Sequence, residues 1–75
     1  MERTNSYVKN ASQHVIPNPD GGWIVKKNGA VKATKRFQTK AAAIRYARRL
    51  GKLSKSIVFI HAKDGRVLKT EEFLG

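Results

Sequence analysis

The segment Thr39 to Gly51, TKAAAIRYARRLG, has the clearest helical pattern in this chain of 75 residues. Thr39 is suited to cap a helix, because its hydroxyl can accept a hydrogen bond from an otherwise unpaired amide of the first turn. Gly51 is suited to end one, because glycine readily adopts the left-handed conformation that follows the last turn. The pattern therefore predicts one helix between these two residues.

The two faces of this predicted helix differ in chemistry. At about 100° per residue, one face is apolar and has Tyr46 at its edge. The apolar residues are Ala43, Ile44, Ala47 and Leu50. Arg45, Arg48 and Arg49 fall on the opposite face. We therefore expect one face to pack on a core and the other to present arginines to a negatively charged partner.

The composition is strongly basic and contains no cysteine. Sixteen lysines and arginines against five acids give a formal net charge of +11. No Asp or Glu occurs from Gly21 to Lys63, and such one-signed charge disfavours a compact state through self-repulsion. A polyanionic partner would relieve this repulsion, whereas a merely soluble basic surface needs a smaller excess. Without cysteine the chain forms neither disulfides nor thiolate metal sites.

The length allows one domain, near the lower size limit for a self-sufficient hydrophobic core. Residues 1–11 are polar and lack a sustained period, so we predict a flexible N-terminal arm before a single compact domain over residues 12–75. The chain has no apolar run long enough to cross a membrane and no apolar N-terminal stretch typical of a signal peptide. We therefore predict a cytoplasmic protein with no membrane partner, associated with the nucleoid if it binds DNA.

Three strands are predicted before the helix. Ser12 to Ile16 ends in β-branched residues and precedes a reversal rich in proline and glycine. Trp23 to Lys27, WIVKK, has the composition of the returning strand. Asn28-Gly29 is the preferred pair for a two-residue type I′ hairpin, so a weak third strand is expected from about Ala30 to Phe37.

Two more strands are predicted after the helix. Ser56 to Ala62, SIVFIHA, is the most apolar run in the chain and is expected to be a buried central strand. Asp64-Gly65 is a second turn signal, so Arg66 to Thr70 should return as its partner, and the tail from Glu71 should be half ordered. The fold class is therefore α+β: a small antiparallel sheet in β-β-β-α-β-β order with one amphipathic helix packed across it.

Three segments together resemble a known bacterial family. They are HVIPNPDGGWIVKKNGA from His14, TKAAAIRYAR from Thr39 and VFIHAKDGRV from Val58. Over residues 14–68 the chain resembles the bacterial domain of unknown function 2188 family. This resemblance implies a compact bacterial domain and supplies no activity, cofactor or catalytic residue. Helices of the family commonly carry glutamates where this chain has Ala42, Arg45 and Arg49, so a function inferred from the positive charge need not extend to the family.

The sequence contains no arrangement typical of an active site or a metal site. His14 and His61 lie in predicted strands and could be neighbours, but a metal or acid–base site would need a third group. The candidates for that group, Asp20 and Asp64, are explained by turn chemistry. There is no serine in a nucleophile elbow and no glycine-rich phosphate loop. We therefore predict that the protein is not an enzyme and uses no cofactor or metal.

The arginine face of the helix is the strongest candidate site. Solvated helix faces usually alternate in sign, because Glu–Lys pairs four residues apart stabilise a helix by about 0.2–0.5 kcal/mol each. Arg45 and Arg49 are instead like-charged neighbours, and guanidinium groups can bind phosphates bidentately. The helix contains no Asn or Gln for base reading. The candidate nucleic-acid-binding residues are Arg45, Arg48, Arg49, Lys52, Lys55, Lys26, Lys32 and Arg36.

Two classes of function fit these features. The leading hypothesis is a small bacterial or phage-borne nucleic-acid-binding protein that contacts mainly the phosphate backbone, with duplex DNA slightly favoured over RNA. The alternative is an adaptor or inhibitor that docks on an acidic protein surface through the same arginines. A homodimer formed through the sheet is compatible with either. Trp23 is either a core residue or a platform on which bases stack, and core packing is the favoured interpretation.

Overall fold

The computed structural model describes residues 12–73. Within these residues, five strands and one helix follow each other in β-β-β-α-β-β order, which confirms the predicted fold class. The strands are β1 (Gln13–Pro17), β2 (Trp23–Lys27), β3 (Lys35–Phe37), β4 (Ile57–His61) and β5 (Val67–Glu72), and the helix is α1 (Lys40–Ser54). The predicted flexible arm, residues 1–11, lies outside the described residues.

The sheet has the strand order β3-β2-β1-β4-β5 and contains one parallel pair. The central strand is β1, which pairs antiparallel with β2 and parallel with β4. A parallel pair needs a crossover connection, and α1 lies within the connection between β1 and β4. The prediction of a buried central strand at residues 56–62 is confirmed, because β4 lies between β1 and β5 and buries Val58 and Ile60, although β1 is the middle strand.

Successive residues of each strand point to opposite sides of the sheet, and α1 packs on one of them. We name this the covered side, and the other the open side. The buried core lies on the covered side and consists of Val15, Trp23, Val25, Ala43, Ala47, Val58 and Ile60. Trp23 keeps only 8% of its surface exposed, so it is a core residue. The open side carries His14, Ile16, Ile24, Lys26, Arg36, Ile57, Phe59 and His61.

The helix begins where the sequence predicts and ends one turn later than predicted. Thr39 has an extended backbone, and its hydroxyl accepts a hydrogen bond from the amide of Ala42 at 3.2 Å. At the other end, Lys55 adopts the left-handed conformation with a φ of 51°. The amide of Ser56 then donates to the carbonyl of Gly51 at 3.0 Å. The prediction that Gly51 ends the helix is therefore wrong.

Gly51 serves close packing instead of capping. It is buried within α1, on the face of the helix that meets the sheet. A Cβ atom at this position would lie 2.8 Å from Cδ2 of Phe73 and 2.9 Å from Cγ2 of Val58. The approach of the helix to these two side chains leaves no room for a larger residue, and this is the physical reason for a glycine here.

The third strand is much shorter than predicted. A tight turn does form at Asn28-Gly29, where the amide of Ala30 donates to the carbonyl of Lys27 at 3.0 Å. The chain then leaves β2 as a loop over residues 30–34 and returns to it only at Lys35. The prediction of a strand from Ala30 is wrong, because the loop has little apolar surface to pack on the sheet.

Candidate nucleic-acid interface

The solvent side of α1 presents a row of cations. Arg45, Arg49 and Lys52 are exposed and follow each other at spacings of four and three residues, which places them along one line of the helix. At about 1.5 Å per residue this line is about 10 Å long. We name these three residues the cationic ridge. Within residues 12–73, none of them forms an ion pair with a carboxylate.

Arg48 lies outside the ridge, because it binds Glu71 of β5. Its Nε donates to Oε1 of Glu71 and its Nη2 to Oε2, both at 2.7 Å. Nζ of Lys69 lies 3.3 Å from the same carboxylate. The sequence shows no acid near Arg48 on the helix, and it predicts a half-ordered tail from Glu71. Instead β5 continues to Glu72 and holds Glu71 beside the helix.

The contact with Arg48 lowers the pKa of Glu71. Hydrogen bonds from Arg48 lower the pKa of Glu71 to about 2, and Lys69 adds to this shift although burial opposes it. The Glu71 side chain is 14% exposed and that of Arg48 is 43% exposed. The pair is therefore ionised at neutral pH, and Arg48 is less available to a phosphate than the cationic ridge.

Three of the predicted site residues lie away from the ridge. Lys26 pairs with His14 and Arg36 pairs with Ile24 in the strand register, so both cations belong to the open side. Lys32 is exposed in the loop of residues 30–34. The structure therefore does not bring these three residues together with the arginines of the helix.

Lys55 lies just beyond the last turn of the helix and is exposed. Together with Lys52 it carries positive charge toward the C-terminus of α1, where the helix dipole favours cations. Lys55 therefore extends the basic surface beyond the ridge, although its backbone conformation is set by the helix cap.

Two further lysines border the helix and were not among the sequence-based candidates. Nζ of Lys35 lies 5.5 Å from the ring centre of Tyr46 on α1. Nζ of Lys40 lies 4.9 Å from the ring centre of Trp23. Strand alternation signals the position of Lys35, because it is two residues from Phe37 and therefore shares the covered side with it. These lysines enlarge the positive surface around the helix.

None of the acids described within residues 12–73 forms an ion pair with the ridge. Asp64 accepts a hydrogen bond from Nε of Arg66 at 2.8 Å in the turn between β4 and β5. Glu71 binds Arg48 and Lys69. Asp20 lies in the connection from β1 to β2, and Glu72 lies on β5. Because none of them pairs with the ridge, its positive charge is left uncompensated by the described part of the chain.

Two other kinds of site are absent from the described residues. Residues 12–73 contain no cluster of three or more His, Cys, Asp or Glu side chains that could hold a metal ion. Within the same range, the helix α1 is neither long enough nor apolar enough to cross a membrane.

The comparison with known families agrees with the fold. The model of a family described as "Uncharacterized protein conserved in bacteria (DUF2188)" matches residues 13–73. No curated protein and no solved structure is detectably similar to the chain. The matched span contains all five strands and the helix, and the family description names no activity, ligand or partner. The chain therefore belongs to DUF2188, the bacterial family that its sequence motifs resemble.

Proposed function

We propose that this protein binds nucleic acid through the cationic ridge of α1 and contacts the phosphate backbone. The observation that carries the proposal is a line of three exposed cations with no ion-paired carboxylate among residues 12–73. Like charges one helical turn apart destabilise a helix by about 0.2–0.5 kcal/mol per pair. Phosphates bound along the line would convert this repulsion into attraction.

The form of the ridge favours a duplex over a single strand. The three cations along this line of about 10 Å can neutralise up to about three phosphates. Trp23, the aromatic residue that could stack on unpaired bases, is buried. The exposed side of α1 has no Asn or Gln that could read base edges. We therefore propose binding to duplex DNA without sequence preference, ahead of RNA.

The test is a salt series of binding to short duplexes of unrelated sequence, followed by fluorescence anisotropy. For the unmodified protein, log K should fall linearly with log salt, with a slope of about −0.9 per phosphate contacted. The ridge variant, Arg45→Ala with Arg49→Ala and Lys52→Ala, should lose affinity equally for all sequences. Its slope should be shallower by up to about three phosphate equivalents. Thermal unfolding checks that the variant remains folded.

A matched control removes the same number of charges elsewhere. The variant Lys26→Ala with Lys32→Ala and Arg36→Ala removes three cations from the open side and the adjoining loop. It should keep a slope close to that of the unmodified protein. Equal losses in both variants would mean that total charge, and not the ridge, drives binding. A ridge variant that binds as before, with the same slope, would refute the proposal.

A second experiment separates nucleic acid from an acidic protein as the partner. The unmodified protein and the ridge variant are each used to capture partners from bacterial lysate, with and without nuclease treatment. Binding to nucleic acid predicts captured material that is lost on nuclease treatment and reduced for the ridge variant. An acidic protein that survives nuclease treatment and depends on the ridge would establish the alternative function instead.

A further inference from the structure

Two histidines meet on the open side of the sheet, away from the ridge. Nδ1 of His14 on β1 lies 2.9 Å from Nε2 of His61 on β4, the neighbouring strand. The outer nitrogens are also engaged. Nε2 of His14 is 3.1 Å from Oδ1 of Asn28, and Nδ1 of His61 is 3.0 Å from the carbonyl oxygen of Gly65. The four residues form one chain of contacts from the β2–β3 loop to the β4–β5 turn.

The carbonyl group of Gly65 sets the donor and acceptor roles in this series of hydrogen bonds. A carbonyl oxygen only accepts, so Nδ1 of His61 must carry a hydrogen, and Nε2 of the neutral ring then has a lone pair. The contact between the rings is therefore a hydrogen bond only if Nδ1 of His14 donates. A neutral His14 has its lone pair at Nε2, so Asn28 must turn its NH₂ group toward that nitrogen.

The hydrogen bonds of the two histidines can accommodate one added proton but not a second. A protonated His14 donates from both nitrogens: to Nε2 of His61, and to Oδ1 of Asn28 once the carboxamide has turned. If His61 is protonated as well, its Nε2–H faces the Nδ1–H of His14, and the two donors repel. The contact between the rings therefore survives with no extra proton or with one, and is broken by two.

The geometry between the rings is that of a hydrogen bond and not of a shared metal ion. The ring centres are 5.2 Å apart, close to the 2.9 Å between the nitrogens plus the distance from each nitrogen to its own ring centre. The two nitrogens thus point at each other along the line between the rings. Two ligands of one metal ion would instead converge on a point beside that line. A proton is the cation that fits between them.

We propose that His14, His61, Asn28 and Gly65 form a proton-operated clasp that is closed with at most one extra proton and opens when both histidines are protonated. The clasp fastens β1 to β4, the parallel pair, and ties them to two loops at opposite ends of the sheet: the β2–β3 loop at Asn28 and the β4–β5 turn at Gly65. Opening breaks the contact between the rings, so His14 and its partner Asn28, which precedes the loop of residues 30–34, are no longer tied to His61. Acid conditions should therefore loosen this loop and the β4–β5 turn together.

The nearest charged groups act against protonation of the clasp. Burial lowers the pKa of His14; the Asn28 hydrogen bond opposes this shift, and His61 and Lys26 reinforce it. On β3, Arg36 lies on the same side beyond Ile24.

Strands β4 and β5 and the turn between them place little negative charge near His14. Phe59 of β4 stacks on His14, with ring centres 4.8 Å apart, and pairs with the uncharged Thr70 of β5. Asp64 in the adjoining turn is bound to Arg66, and Glu72 lies opposite Ile57 at the far end of β5. The surroundings of His14 therefore disfavour its protonated form.

The test is an NMR pH titration of the intact chain that observes the ring nitrogens of both histidines. Near neutral pH, His61 should be the Nδ1–H tautomer, as the bond to Gly65 requires. Both rings should report the same two coupled steps, and the β2–β3 loop amides should shift with the second step. Independent titration of the two rings, with His61 as the Nε2–H tautomer, would overturn the proposal.

Variants at Asn28 give the proposal a second test. Asn28→Asp offers His14 a carboxylate, so the pKa of His14 should rise by about one unit or more. Asn28→Leu removes the hydrogen bond without adding charge and should lower the pKa of His14 further. Equal pKa values in both variants would contradict the clasp, since Asn28 would then have no contact with the ring.

Two more measurements check the link between the rings. In His61→Gln, His14 should titrate in one step, because its coupled partner is gone. Addition of equimolar Zn²⁺ to the unmodified protein should leave both ring spectra unchanged. Stoichiometric Zn²⁺ binding that is lost in His14→Gln would overturn the proposal and identify a metal site instead.

Discussion

The covered side and the open side of the sheet are built from the same five strands, but different forces hold them together. Val15, Val25 and Val58 on the covered side are completely shielded from solvent beneath the helix. Apolar residues of the open side such as Ile24 stay partly exposed, and its specific contacts are hydrogen bonds and ring stacking around His14. Burial supplies stability, whereas directional contacts with titratable groups supply a response to pH.

The largest contrast between the two sides is expected at neighbouring residues of β2. Trp23→Ala should lower the free energy of unfolding by about 3–5 kcal/mol, because it empties much of the core of a marginally stable small domain. Ile24→Ala should cost about 1–2 kcal/mol, since its partly exposed side chain loses less buried area. Denaturant titration of the two variants measures the difference. Equal costs would mean that Ile24 on the open side is as well buried as Trp23 on the covered side.

The covered side was largely predictable because it depends on local periodicity. The apolar spacing of α1 places its residues correctly on the core, with Ala43 and Ala47 buried and Ile44 and Leu50 packed against them. The cap at Thr39 was predictable for the same reason, since its partner is three residues away. The parallel pairing of β1 with β4 was not, because it depends on contacts between segments far apart in the chain.

The candidate site was predictable only in part, for the same physical reason. The exposure of Arg45 and Arg49 follows from the helical period alone. The engagement of Arg48 does not, because its partner Glu71 is 23 residues away and reaches it only through β5. Assigning Lys26 to the open side likewise requires the register of β2. Sequence patterns therefore predicted which helix residues lie outside the core, but not which of them form contacts with other strands.

A second prediction tests how closely the helix approaches the covered side. In an exposed helix, Gly51→Ala would increase stability by about 1 kcal/mol. Here the added methyl group would collide with Val58 and Phe73, and such overpacking typically costs about 1–3 kcal/mol. We therefore expect a net loss of up to about 2 kcal/mol in denaturant titration. A higher melting temperature for this variant would show that the helix stands further from the sheet.

A third prediction contrasts two adjacent arginines at the border of the covered side. Arg48→Ala should lower the free energy of unfolding by about 1–3 kcal/mol, because it leaves the largely buried carboxylate of Glu71 without two hydrogen bonds. Arg49→Ala should change stability by no more than about 0.5 kcal/mol. DNA affinity should show the reverse order, with the greater loss for Arg49→Ala. The same rank order in both measurements would contradict the separate roles of the two residues.

The cost of Arg48→Ala should also depend on pH. Arg48 lowers the pKa of Glu71 from 4.5 to about 2, so the folded protein binds this proton more weakly than the unfolded chain does. The stabilisation is therefore complete above about pH 4.5 and is lost as the pH falls toward 2. The stabilities of the unmodified protein and Arg48→Ala should converge across that range. A difference that stays constant down to the lower pH would rule out this linkage.

The smallest effect is expected at Lys55, where the covering helix ends. Its φ of 51° is unfavourable for a residue with a side chain, by about 1–2 kcal/mol. Glycine accepts this conformation but loses more entropy on folding. Lys55→Gly should therefore raise the free energy of unfolding by no more than about 1 kcal/mol.

Lys55→Ala is the matched variant for this position, because it removes the same charge and keeps the backbone strain. Stability should thus differ between the glycine and alanine variants, whereas their affinities for DNA should be equal and follow the loss of charge alone. If the glycine variant is no more stable than the alanine variant, the left-handed turn at Lys55 does not form. The helix would then end nearer Gly51.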